Sequence, residues 1–120
     1  MITEDYVSFE TAKLLKEKGF DECTLLSYDK NGNNKDALRP FLESEGDVRK
    51  PTLQMAMKWL REKYCLEIYP YHTNLEKVPC WWFEIIRFPS SVDEYETAKE
   101  YNTYEEACEA AVKYCLENLI

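Results

Sequence analysis

The sequence predicts an α+β fold, with three helices packed on a small antiparallel sheet of three to four strands in the order α-β-(β)-α-β-β-α. Three observations lead there. The segments Ser8-Phe9-Glu10-Thr11-Ala12, Thr52-Leu53-Gln54-Met55-Ala56 and Thr103-Tyr104-Glu105-Glu106-Ala107 share one opening chemistry. Each sets a hydroxyl that can accept from an orphan backbone N–H ahead of Glu or Gln in the first turn. Between the second and third of these, Leu66–Tyr71 and Trp81–Phe88 read as two strands of an antiparallel hairpin. Finally, 120 residues with 45% hydrophobic and 32% charged side chains suit one domain with a real core, spanning residues 1–120.

The first helix is expected from Ser8 to about Lys18. Gly19 can take the left-handed conformation that ends a helix, with Phe20 folding back onto Leu15. Cys23–Tyr28 is expected as a strand, and Asp29-Lys30-Asn31-Gly32-Asn33-Asn34 as a turn. Ala37-Leu38-Arg39 is expected to return as a short strand, and the polar stretch from Glu43 to Lys50 to be a loop. The second helix follows Pro51, from Thr52 to about Tyr64. The hairpin loop is placed at His72–Pro79, and residues 89–102 at a connection with one helical turn at Glu94–Lys99. The third helix runs from Thr103 to about Asn118. Thr103 and Glu106 make a full capping box there, and Tyr104, Ala107, Cys108, Ala111, Cys115, Leu116 and Leu119 share one face.

Charge narrows the function. The formal net charge is −8, and residues 93–120 hold eight carboxylates against two lysines. Phosphate backbones and anionic membranes are bound through clustered Lys and Arg, so direct nucleic-acid or membrane binding is not expected. No apolar run approaches the ~20 residues of a membrane span. Five cysteines, an odd number, and the opening Met1-Ile2-Thr3-Glu4-Asp5 point to free thiols in a reducing cytoplasm.

The openings of the first two helices and Tyr101-Asn102-Thr103-Tyr104-Glu105-Glu106-Ala107, continued by Lys113-Tyr114-Cys115-Leu116, carry a resemblance. Together with Lys58-Trp59-Leu60-Arg61-Glu62 they resemble small proteins, without an assigned activity, of prophages and mobile elements of Bacteroidales gut bacteria. That resemblance implies a cytoplasmic accessory protein, phage-related, and transfers no functional residue.

No catalytic, cofactor-binding or metal-ligating constellation is found, and no cofactor is expected. Zinc sites present cysteines in close pairs, which are missing here. Cys65 and Cys80 flank the hairpin and could meet across it. His72, the one histidine, would need a cysteine brought close in space to form a nucleophile pair. Glu67 and Glu84 could face one another on neighbouring strands as a carboxylate pair, or mark the solvent side of the sheet.

Surfaces are more informative. Met55 and Trp59 lie off the main apolar face of the second helix; Trp59 either packs beneath a neighbouring loop or joins a partner surface. On the second hairpin strand Trp81, Phe83 and Ile85 share one face, while Trp82, Glu84, Ile86 and Phe88 share the other, beside Tyr69 and Tyr71. Asp93, Glu94, Glu96, Glu100, Glu105, Glu106 and Glu109 form an acidic surface. The expected interaction surface is therefore Met55, Trp59, Trp82, Phe88, Glu94 and Glu96. It would serve a non-catalytic accessory protein that contacts a protein partner or a second copy of itself. The alternatives are an acidic decoy of a nucleic-acid-binding enzyme and a small-molecule binder with an aromatic pocket near the hairpin.

Overall fold

A computed structural model describes residues 2–35, 46–75, 78–89, 92–97 and 99–120. Its elements run α1 (Phe9–Glu17), β1 (Leu26–Tyr28), β2 (Asn34–Lys35), β3 (Val48–Lys50), α2 (Leu53–Tyr64), β4 (Leu66–Leu75), β5 (Val78–Arg87), β6 (Val92–Glu96) and α3 (Tyr104–Tyr114). A π-helical turn, Cys115–Leu119, continues α3. The α+β class and the three helices are as expected from the sequence. The strands form two antiparallel sheets, ordered β2-β1-β3 and β4-β5-β6.

The helices begin where their caps say. Ser8, Thr52 and Thr103 each accept, through the side-chain oxygen, the N–H three residues on. α1 closes as a Schellman motif: the Phe20 N–H reaches the Leu15 carbonyl at 2.9 Å and the Gly19 N–H reaches Lys16 at 3.1 Å. Gly19 takes φ 91°, which a side chain would resist. In the turn after β1, Asp29 accepts the N–H groups of Asn31 and Asn33 at 2.9 and 3.0 Å. Those bonds, the one to Asn33 foremost, hold its carboxyl below the usual range. Gly32 lies so close to the Phe9 ring that a Cβ there would stand 2.8 Å from it.

Several expectations are corrected. Val48–Lys50 is a strand rather than loop, because its main chain pairs with Leu26–Tyr28. Val92–Glu96 is a strand rather than a helical turn, paired with β5 across a bulge at Ile85/Ile86. The hairpin strands reach Leu75 and Val78, which puts His72 opposite Trp81 inside the sheet instead of in a loop. Ala37–Arg39 and residues 43–45 lie outside the described residues.

The core lies between the helices and one face of the large sheet. Leu66 and Ile68 of β4, Phe83 and Ile85 of β5, Leu60 of α2 and Leu116 are each less than 5% exposed. Burying side chains of this size stabilises by about 1.5–3 kcal/mol each. α3 approaches closely because Ala107, Cys108 and Ala111 are small and fully buried. The sheet's edges are guarded. Pro70 sits mid-way along β4, opposite Phe83, whose carbonyl turns to the Thr97 N–H on its other side. The missing N–H of Pro70 therefore falls on the outer edge of β4, where no described strand pairs.

Candidate functional site

With helices on one face of β4-β5-β6, the other face holds what the core does not use. The β4–β5 register sets Tyr71 opposite Trp82, Tyr69 opposite Glu84 and Glu67 opposite Ile86. Directly opposite residues share a face, so these six make one outer surface. The Tyr71 and Trp82 rings pack at 5.7 Å. The Tyr71 hydroxyl donates to Glu84 at 2.7 Å, and the Arg61 guanidinium reaches both oxygens of Glu67 at 3.4 Å. Tyr69, Tyr71 and Phe88 remain 37%, 39% and 38% exposed. Trp82 is half-buried, and its indole N–H is buried with no acceptor among the described residues. Leaving such a donor unmatched costs about 1–3 kcal/mol.

The expected surface residues do not form one patch. Trp82 and Phe88 lie at the outer face of the large sheet. Met55 is exposed on α2, which packs against the opposite face. Trp59 is corrected to a core residue: it is 7% exposed, with the Phe20 ring at 5.4 Å and the Tyr64 ring at 5.3 Å. It packs beneath the segment after α1, the first of its two readings. Glu94 and Glu96 fall in β6, where the register sets Glu96 opposite Glu84; their side chains lie outside the described residues. Glu67 and Glu84 share the outer face but stand opposite Ile86 and Tyr69, not each other.

Glu109 is the residue sequence reasoning missed. Read as part of an acidic surface, it instead turns inward to the start of α1. One carboxylate oxygen accepts the Ser8 N–H at 3.0 Å and the Thr11 hydroxyl at 2.6 Å. Lys113, one turn on, pairs with Glu10 at 2.9 Å, which raises the lysine's pKa. Glu109 also lines an open groove of about 700 Å³, with Glu4, Asp5, Tyr28, Lys50 and Tyr101. Burial, and secondarily the Glu109 charge, pushes the Tyr28 hydroxyl up. A second, smaller pocket of about 210 Å³ sits between α1 and β3. Neither cavity is lined by a residue of β4 or β5, where an aromatic pocket was expected.

Nucleophilic and metal chemistry find little support in the geometry. His72 packs on Trp81 at 4.9 Å, whereas Cys80 pairs with Thr73 on the alternate face. Burial, and then the Glu100 carboxylate beside it, raises the Cys80 thiol, the opposite of an activated nucleophile. Cys65 stands at the Phe88 end of the hairpin and Cys80 towards the other, so the two do not meet across it. Among the described residues no three His, Cys, Asp or Glu side chains gather as metal ligands would. No described helix is long and apolar enough to cross a membrane.

A family model described as Transposase IS4 matches residues 1–119. No curated protein matches, and no solved structure matches.

Proposed function

The chain belongs to the Transposase IS4 family, and from that premise we propose that it serves a mobile element as a non-catalytic accessory protein working through protein–protein contacts. The observation that carries this reading is the outer face of β4-β5. It keeps Tyr69 and Tyr71 more than a third exposed beside Trp82, with Phe88 equally exposed beyond the end of β5, and no described helix packs over it. Aromatic rings of this kind are enriched at interface centres. A catalytic reading, cleavage of DNA strands, would call for carboxylates converging on one or two cations. Glu109, Glu67 and Glu84 are engaged within the fold instead, with Thr11 of α1, with Arg61 and with Tyr71.

Direct nucleic-acid binding has the aromatic platform, but the described residues do not form the basic groove that base stacking also requires. The phage-related and cytoplasmic setting of the sequence resemblance belongs to the same proposal.

The test is affinity capture from lysate of the native host, comparing the natural chain with Tyr69→Ala/Tyr71→Ala and with Glu4→Gln/Asp5→Asn. A stoichiometric protein retained by the first and third and lost by the second is the expected result. Capture that ignores the tyrosines overturns it, and so does nicking of supercoiled DNA by the purified chain with Mg²⁺ or Mn²⁺.

A further inference from the structure

We infer that the open groove between the N-terminal segment and α3 binds a linear aliphatic polyamine. The site is separate from the outer sheet face, and its ligand is independent of any partner there. Rings, carboxylates and apolar side chains meet in this groove of about 700 Å³. Tyr6, Tyr28 and Tyr101 supply the rings, and Val7, Leu53 and Ala110 the apolar surface. Five carboxylates line it, those of Glu4, Asp5, Glu105, Glu106 and Glu109, against the two ammonium groups of Lys50 and Lys99. Glu4, Asp5 and Glu105 are exposed.

Two observations beyond the carboxylates point to an alkylammonium ligand. The fold already seats such groups on the groove's rings. Lys50 Nζ stands 5.1 Å from the centre of the Tyr6 ring and 4.8 Å from that of Tyr28, and donates to the Asn34 side-chain oxygen at 2.8 Å. Lys99 Nζ lies 5.3 Å from the centre of the Tyr101 ring. At these distances the negative face of a ring attracts an ammonium ion. The second observation is Glu109. Its Oε1 is matched by Ser8 and Thr11, whereas its Oε2 is buried and meets no donor among the described residues. A carboxylate matched at one oxygen keeps a charge that its surroundings do not cancel, in a wall where screening is weak. That charge reaches Tyr28, whose hydroxyl it raises after burial has done so.

The same residues select the ligand's shape. No three described His, Cys, Asp or Glu side chains gather closely enough to chelate one ion, so a compact divalent cation gains little. Separated carboxylates and rings suit separated charges. A polyamine spaces its ammonium groups along methylene chains, and those chains can lie on apolar surface as lysine stems do. Small-molecule sites usually enclose about 300–1,000 Å³, a range that contains this groove.

The test is calorimetric titration of the full chain with spermine, 1,4-diaminobutane and Mg²⁺ at low and at physiological salt. Spermine is expected to bind about tenfold more tightly than either of the others, and less tightly as salt rises. Glu4→Gln/Asp5→Asn weakens it about fivefold. Glu17→Gln/Glu117→Gln, which removes two exposed carboxylates that line neither cavity, leaves it within about twofold. Tyr6→Leu weakens it about threefold, and Tyr6→Phe, which keeps the ring, does not. Lys99→Met takes a competing ammonium off the Tyr101 ring and tightens spermine binding about threefold. Equal loss in the two double variants overturns the inference in favour of attraction by net charge alone. Tyr6→Leu binding like the natural chain, or Lys99→Met binding no better, overturns it by taking the rings out of the site. Mg²⁺ or 1,4-diaminobutane binding as tightly as spermine overturns the assignment of an extended polycation.

Discussion

Glu109 supplies to α1 what a capping box would have supplied from within. In α3 the acid lies three residues after its cap: Thr103 takes the Glu106 N–H, and Glu106 reaches back to the Asn102 N–H at 3.3 Å. In α1 the third residue after Ser8 is Thr11, so the carboxylate comes from α3 instead. Glu109→Ala should therefore cost about 1–2 kcal/mol in urea unfolding, the range for a lost helix cap. Glu117→Ala, an exposed carboxylate of the same helix region, should stay within about 0.5 kcal/mol. The hydroxyl caps were legible because each acts three residues from itself. Glu109 was not, because its partners lie about a hundred positions away and nothing local distinguishes it from Glu105. The same holds for the tryptophans: pattern placed Trp59 and Trp82 off the main core faces, but only the approach of Phe20 decides that Trp59 is covered.

At the scale of elements, α2 ends without the glycine that ends α1. Cys65 takes the left-handed conformation itself, at φ 58° and ψ 31°, and its side chain is exposed. A residue with a Cβ is strained there by about 1–2 kcal/mol, part of which glycine gives back as unfolded-chain entropy. Cys65→Gly is expected to raise stability by about 0.5–1 kcal/mol, read as a higher urea midpoint with an unchanged slope. A lower midpoint would show that the thiol side chain contributes more than the strain costs. The long elements were legible from periodicity: the three helices and the alternation of Trp81 to Phe88 stand as expected. The short strands were not. Val48-Arg49-Lys50 and Val92-Asp93-Glu94-Tyr95-Glu96 carry charges at most positions, and only main-chain pairing to β1 and β5 makes them strands. His72, Thr73 and Asn74 likewise look like loop, yet they extend β4 because the hairpin ladder continues through them. The outer face was legible as an alternation, but its partition from Met55 follows from which side of the sheet α2 covers.

At the scale of the whole molecule, buried acidic groups set the response to alkali. Burial pushes the Cys108 thiol up to about 11 and the Cys115 thiol up to about 12, from the ordinary 9.0. Tyr28, Tyr101 and Tyr104 are raised as well, each foremost by burial. A raised acid holds its proton longer when folded than when unfolded, so the folded state binds more protons above the unfolded value and stability falls with pH there. The contribution of the two thiols is complete below about pH 9 and is lost as pH climbs towards 11 and 12. Urea midpoints should thus be flat near neutrality and decline from pH 9 upward. Cys115→Ala should flatten that decline while lowering the plateau through the cavity it leaves. A decline of equal steepness in the variant would remove Cys115 from the account. The tie between Ser8 and Glu109 acts at this scale too. At about 5–20 residues per second on a ribosome, the stretch encoding α1 is translated roughly 5–20 seconds before the codon for Glu109 is read. Through that interval the Ser8 amide and the Thr11 hydroxyl lack the carboxylate that α3 later brings to them.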